Sequence, residues 1–540
     1  MVRNVMATSV LIIMTFLFSC CNDSSQAKED GGTDAVPNGD SVSDGSIGKD
    51  ASTDGDTDVD AGTDGDTDSD ADTDADAGMD SGDVSPWAVR IGGPDNEMGV
   101  GVVVLDDGSS IVTGNFGRNT RFGEGDPNEI VIKANGVQDV FFTKYTPDGV
   151  LVWIKTATSG QHVIGSDISG LDDGHFVSTG NFNGIATFGK GETNQTVLMG
   201  TTDFDIYIAA YNPDGTLEWA QKISGNTDVY STAIDILPDR SSITTGYYDE
   251  RILVGTQELL ANGNINTFVT KYDFDGNFEW VENIAGQDVY STDIAVLGDG
   301  SSIVTGTFVR KIIFNDQKPG ELEINTDEDH LEEIFIAKYD PDGGFDWVRT
   351  AVGVNRNVTH KIAVLDDDSF LVTGHTLESI LFNVGEADET ELVPADGVSM
   401  FVVKYHPDGS LEWVFQDGEN GFLSDSVVDS YPDGSFIVTG DFSDDVVLGS
   451  GEQNETTLTS AGRDDIFIAR YNSDRTLAWA VRAGGADIND WGLDVAAVDD
   501  GAAIVTGTFT DVATFFPDEP HEASLNSAGN RDIFLMRIGH

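Results

Sequence analysis

The chain has 540 residues, and its 95 Asp and Glu against 28 Lys and Arg give a net charge of −67. That balance excludes nucleic acid as a partner, because affinity for a polyphosphate comes mainly from Lys and Arg. With 39% hydrophobic residues there is ample material for a core, and 62 Gly beside 8 Met favour turns and strands over bundled helices.

At the N-terminus, Arg3 precedes an apolar run from Val5 to Phe18. The run is too short for a stable membrane span and suits the central part of a signal peptide. The only cysteines, Cys20 and Cys21, follow it directly, so the rest of the chain has no internal disulfide and no thiolate metal site. Leu17-Phe18-Ser19-Cys20 resembles the lipobox of bacterial lipoproteins. The resemblance implies a signal peptide over residues 1–19, lipidation of Cys20, and a membrane held through the lipid anchor. Several acyl chains would hold firmly, at roughly 0.8 kcal/mol per buried methylene. The expected location is the bacterial cell envelope, at the outer membrane or cell surface.

Residues 20–86 are rich in Asp, Gly, Thr, Ser and Ala and almost free of apolar side chains. From Cys21 to Pro86, 20 acidic residues face only Lys28 and Lys49. Such a segment repels itself and cannot bury a core, so it is expected to be a disordered linker, a stalk. The run Asp56-Thr57-Asp58-Val59-Asp60-Ala61-Gly62 has the carboxylates of a calcium loop but carries its glycine at the seventh position instead of the sixth.

Residues 87–540 repeat seven times. A Thr-Gly pair closes an apolar run at Gly114, Gly180, Gly246, Gly306, Gly374, Gly440 and Gly507, a period of about 65 residues. A tryptophan recurs at Trp87, Trp153, Trp219, Trp280, Trp347, Trp413 and Trp479. Each copy reads as four short strands. In the second, strand A is expected near Asp167 to Leu171, B over Phe176 to Phe182, C over Asp205 to Tyr211 and D over Leu217 to Ile223, with a longer loop between B and C. The turn Asn212-Pro213-Asp214-Gly215 joins C to D, proline setting one φ and glycine supplying a positive one. Arg240, Asp368 and Arg475 take the place of turn glycines in three copies.

The ends of the body fit each other. Trp87 to Gly93 reads as a strand D with no strand C before it, and Asp532 to Ile538 as a strand C with no strand D after it. The fold expected is therefore all-β, a seven-bladed β-propeller closed by pairing of its N- and C-terminal strands and preceded by the disordered stalk. Asp465-Ile466-Phe467-Ile468-Ala469-Arg470-Tyr471, Leu477-Ala478-Trp479-Ala480 and Ile504-Val505-Thr506-Gly507 resemble the SBBP β-propeller repeat of bacterial secreted proteins and lipoproteins. The resemblance spans residues 87–540 and implies the fold, without naming an activity.

Little chemistry is written in motifs. The eight histidines form no His-Glu-x-x-His, and neither a Gly-x-Ser-x-Gly elbow nor a phosphate-binding loop occurs. Two columns of strand A, which lines a propeller's channel, gather carboxylates: Asp167, Asp293 and Asp494 in one, beside Lys361, and Asp235 and Asp429 two positions on. As an acidic ring they could hold a hard cation such as calcium (Ca2+), the alternative being hydrogen bonds to neighbouring blades. The D–A loops vary most, and Asp490 and Trp491, the tryptophan outside the repeating column, mark a candidate ligand-binding rim.

These features favour a non-catalytic cell-envelope lipoprotein whose propeller is a binding or interaction scaffold for a protein or glycan ligand. The alternatives are an exported carbohydrate-active enzyme, a lyase or hydrolase using the channel carboxylates, and a purely structural envelope protein.

Overall fold

The computed structural model describes residues 84–539 apart from 202, 262–263, 327–331, 354, 395–398, 487–488 and 518. The segment expected to be a signal peptide, Cys20 and nearly all of the expected stalk lie outside the described residues. Among the described residues every regular element is a strand, and the strands form seven antiparallel blades around a channel. The fold is the seven-bladed β-propeller expected from the repeat.

The second blade shows the pattern. Its strands are A (Val163–Gly170), B (Phe176–Phe182), C (Asp205–Tyr211) and D (Leu217–Gly225), paired in that order from the channel outwards. Strands B and C fall where the sequence places them, while A begins four residues earlier than expected and D runs two residues further.

The B–C segment, read from sequence as a loop, contains a hairpin of two further strands, E (Ile185–Phe188) and F (Thr196–Met199). Strand E does not extend its own blade. It pairs with strand D of the preceding blade (Leu151–Ser159) through Ala186↔Ser159 and Thr187↔Thr158. Five of the seven sheets borrow their outer edge from the next repeat in this way, and the other two meet the next repeat's hairpin through single bridges, Glu419↔Val447 and Gly92↔Arg121. These strands are three or four residues long and partly exposed, too short to show a period of two.

The apolar core lies between blades. Each of seven clusters of buried side chains draws on two neighbouring sheets; one joins Ile111, Phe142 and Ala157 of the first blade to Phe176, Tyr207 and Leu217 of the second. The recurring Trp and the Pro-Asp-Gly turn are two halves of one joint across this seam. The Trp87 indole N–H donates to the Pro147 carbonyl at 2.8 Å, Trp219 to Phe274 at 3.0 Å, and Trp280 to Pro341 at 3.2 Å. The ring lies on the turn glycine, where a Cβ at Gly149 would stand 2.7 Å from Trp87. The tryptophans are mostly half-buried straps from one blade to the next turn.

Arg240, Asp368 and Arg475 take the positive φ of the glycines they replace, at +66°, +62° and +72°. Each has a compensating contact. Arg240 meets Glu218 at 3.2 Å, Asp368 accepts from the Gly298 amide at 2.6 Å, and Arg475 lies over the Trp413 ring at 5.4 Å.

Ring closure follows the sequence reading. The first strand, Trp87–Ile91, pairs over its full length with the last, Asp532–Ile538, from Trp87↔Arg537 to Ile91↔Ile533. On its other side Gly92 bridges Arg121 of the first blade's outer hairpin. Arg90 crosses the joint, holding the buried Asp532 at 3.0 Å and Glu124 at 2.6 Å. Glu97, fully buried beside it, accepts from the amides of Gly93 at 2.9 Å and Gly117 at 3.3 Å and from the Thr120 hydroxyl at 3.1 Å. Removing residues 531–540 takes away one of the closing partners and exposes two blade faces. We expect this truncation to abolish the single cooperative transition in differential scanning calorimetry, whereas a merely lowered melting temperature would show that closure is not required.

Candidate functional site

The innermost strands are Met98–Val104, Val163–Gly170, Val229–Ile236, Tyr290–Val296, Asn357–Val364, Phe422–Ser430 and Trp491–Ala497. Each carries a β-bulge, as between Gly165 and Asp167, where one extra residue breaks the pairing. Bulges re-aim side chains. The extra residues, among them Val100, Ser166, Thr232, Thr292 and His360, line a funnel at one end of the channel, of about 1090 Å³ with the solvent at its mouth included. Asp167, Asp293, Lys361 and Asp494 line both this funnel and the hollow at the other end, which also contains Asp235 and Asp429.

The structure thus brings together all five aspartates named from the sequence, and it uses them as clasps. One carboxylate oxygen of each accepts a backbone N–H from the next blade. Asp494 takes Val102 at 2.8 Å, Asp167 takes Ile234 at 2.9 Å, Asp235 takes Val296 at 2.8 Å, Asp293 takes Ile362 at 2.6 Å and Asp429 takes Ala497 at 2.8 Å. Five of the seven seams are closed in this way. Among the described residues no three carboxylate or imidazole groups converge as a metal ion would require, the five aspartates included. The inter-blade hydrogen bonds, the alternative weighed against a calcium ring, account for these side chains.

Lys361 completes the arrangement. Its Nζ lies 3.6 Å from Asp167 and 3.9 Å from Asp293. Burial would push the ammonium down, but the carboxylates of Asp167, Asp293, Asp494 and Asp235 outweigh it and hold the group well above the ordinary lysine range. Burial raises Asp293 to about 7, Lys361 opposing and Asp167 reinforcing the rise, and raises Asp494 to about 6. Asp235 and Asp429 are raised by burial as well.

Asp490 is not on an open rim. It is 1% exposed, and its two oxygens accept from the amides of Gly485 and Thr510, each at 2.8 Å. Burial lifts its carboxyl to about 6. It pins a loop corner, as Glu97 does at the closure. Trp491 is half-buried, and the Arg531 guanidinium lies 4.1 Å from its ring centroid. The sequence identified a variable loop correctly but could not show that its acid turns inwards.

Two groups escaped the sequence reading. Asp139, Asp205, Glu333, Asp465 and Asp532, each opening a strand C, are fully buried and accept loop amides, for example Asn135 at 2.6 Å and Thr201 at 2.9 Å. An acid opening five of the seven aromatic strands, with Asn266 and Ser399 in the other two, was the available signal. At the seam of the fifth and sixth blades, His360 Nε2 lies 2.9 Å from His375 Nδ1, and His360 Nδ1 lies 3.9 Å from Asp425. Burial drives both imidazoles down, His375 to about 4, and raises Asp425 to about 6. Asp441 nearby accepts from Ser424 at 2.7 Å, while its second oxygen is buried without a hydrogen-bond partner.

No family model matches the chain. It is 23% identical over 450 residues to an uncharacterized WD repeat-containing protein of Acanthamoeba polyphaga mimivirus, covering 71% of this chain and 32% of that protein. The chain therefore spans about a third of the length of that relative. Among solved structures it is similar to a protein of unknown function from Bacteroides caccae, at 10% identity and a TM-score of 0.32, covering 63% of this chain and 89% of that one. A second, of unknown function from Dyadobacter fermentans, shows 8% identity and a TM-score of 0.31, covering 84% and 98%. The WD-repeat relative agrees with the propeller built here from strand pairing.

The buried acids set a pH dependence. Burial raises Glu97 and Glu333 to about 8, the nearby Asp532 charge adding to the rise at Glu97. In the folded protein these groups hold protons that the unfolded chain gives up near pH 4, so unfolding releases protons and stability falls as pH rises from about 4 to 8. The lowered histidines act in the opposite sense, but only below about pH 6.5. We expect the melting temperature to drop by several degrees between pH 6.5 and 8, and Glu97→Gln to flatten that slope; a rise over the same window would contradict the assignment.

Proposed function

We propose that the chain is a bacterial envelope lipoprotein with SBBP-type repeats. In this reading residues 1–19 are removed as a signal peptide, Cys20 is acylated, residues 20–86 form a tether, and residues 87–540 present a non-catalytic binding scaffold. The observation that carries it is the division of labour around the channel. The carboxylates a lyase or hydrolase would use as acid and base are held by backbone amides, while the bulge residues facing the funnel differ from blade to blade. Uniform clasps favour stability, and variable funnel residues favour recognition of a protein or glycan.

The net charge of −67 supports a surface location, since strong self-repulsion keeps a displayed protein soluble and apart from anionic lipid. Metabolic labelling with an alkyne fatty acid is expected to mark the wild type, with Cys20→Ser losing the label and leaving the membrane fraction. Crosslinking on intact cells is expected to retrieve a specific partner. Undiminished labelling of Cys20→Ser would overturn the anchor, and turnover of a carbohydrate panel abolished by Asp293→Asn would overturn the non-catalytic reading.

A further inference from the structure

Beside the funnel, on the second and third blades, an open-sided hollow of about 740 Å³, the solvent at its mouth included, is lined by Asp203, Asp228, Asp249, Tyr230, Tyr247, Thr227 and Ile265. Its aromatic wall is continuous. The Tyr230 and Tyr247 ring centroids are 5.3 Å apart, and Tyr290 meets Tyr247 edge-on at 5.0 Å. Phe204 extends the row 6.4 Å beyond Tyr230. Tyr247 also lines the funnel, so this wall runs from the channel mouth to the outer surface.

The charged groups around the wall are all carboxylates. Asp228 receives the Phe204 amide at 2.7 Å and the Tyr230 hydroxyl, and Asp249 receives the Thr227 hydroxyl. These bonds fix the carboxylates without neutralising them, and among the described residues no Lys or Arg lines the hollow. Asp228 and Asp249 are exposed, and Asp203 is half-buried. The aromatic quadrupole presents negative faces, and nearby carboxylates add full charges. An organic cation meets both the ring faces and the full charges, whereas a neutral sugar would use the carboxylates only as hydrogen-bond acceptors and an anion is repelled.

We propose that this hollow is a binding site for an organic ammonium group, with Tyr230 and Tyr247 as the aromatic wall and Asp203, Asp228 and Asp249 as the countercharge. The assignment narrows the scaffold reading to one ligand chemistry and stands independently of lipid anchoring. It also places recognition on the second and third blades, away from Trp491.

The test is isothermal titration of the full-length, folded protein with tetramethylammonium chloride, against tert-butyl alcohol as a neutral molecule of similar shape and sodium chloride as a small cation. Saturable binding of tetramethylammonium alone is expected, weakened at least tenfold by Tyr230→Leu and by Asp203→Asn and unchanged by Trp491→Phe. Should Tyr230→Leu fail to fold, Asp203→Asn and the two control ligands still decide. Equal binding of tert-butyl alcohol, no saturable heat with tetramethylammonium, or binding indifferent to both variants would each overturn the proposal. If partner capture on cells succeeds while tetramethylammonium does not bind, the scaffold reading survives and the ammonium site falls.

Discussion

The apolar side chains of each small sheet find their partners on the sheets to either side. Phe142 of the first blade packs with Phe176 and Tyr211 of the second, at centroid distances of 5.8 and 4.7 Å, and no cluster is internal to one blade. A single blade therefore has two faces to bury and nothing of its own to bury them with. Stability belongs to the seams, and seven of them exist only if the ring closes. That is why the Trp87–Ile91 strand carries more than its five residues suggest: it completes the seventh sheet, meets the first blade's outer hairpin, and brings Arg90 to two carboxylates. The outer hairpins serve the same end, hydrogen-bonding to a sheet while belonging to the repeat after it.

A chain with so large an excess of carboxylates has used many of them as internal fasteners. A buried carboxylate offers two oxygens to backbone amides that would otherwise face a loop or a channel without partners, and charge-assisted bonds of this kind are stronger than neutral ones. Desolvation opposes the ionised form, and its signature is the upward shift at Glu97, Glu333, Asp293 and Asp494. Glu97 and Glu333, raised to about 8, keep a proton at neutral pH and hold their amides as neutral carboxyls. Lys361 relieves part of that cost at the most crowded point, between Asp167 and Asp293. The acids are therefore part of the architecture before they can be part of any chemistry.

How much of this the sequence disclosed depended on whether the signal was periodic and local. The seven Thr-Gly pairs and seven tryptophans, and the orphan strands at Trp87 and Asp532, were enough for blade number and closure, because each is a short-range pattern repeated at a fixed interval. The outer hairpins were missed because strands such as Ile185–Phe188 are too short and too exposed to alternate visibly. Asp490 was misplaced because a loop acid turned inwards and one turned outwards have the same local sequence, and only the positions of the Gly485 and Thr510 amides distinguish them. The channel aspartates were grouped correctly by strand alignment. Hydrogen bonding to neighbouring blades was one of the two readings weighed for them, but the particular amides were not legible, since they belong to residues about 60 or more positions away.

Function in such a wheel has to come from departures from the repeat. Packing demands nearly the same side chains at every seam, so Tyr471, Tyr405, Tyr339 and Tyr145 are interchangeable and carry no information about a ligand. Bulge and loop positions around the funnel escape that demand, and they differ from sector to sector. The first and seventh blades present Val100 and Leu493, the second to fourth present hydroxyls and the tyrosine wall, and the fifth and sixth present His360 and Asp425. Repetition builds a rigid frame whose inner rim is chemically three-sided. A ligand lying across that rim would meet apolar, aromatic-acidic and imidazole-carboxylate surfaces at fixed spacing, so selectivity can arise without any blade moving.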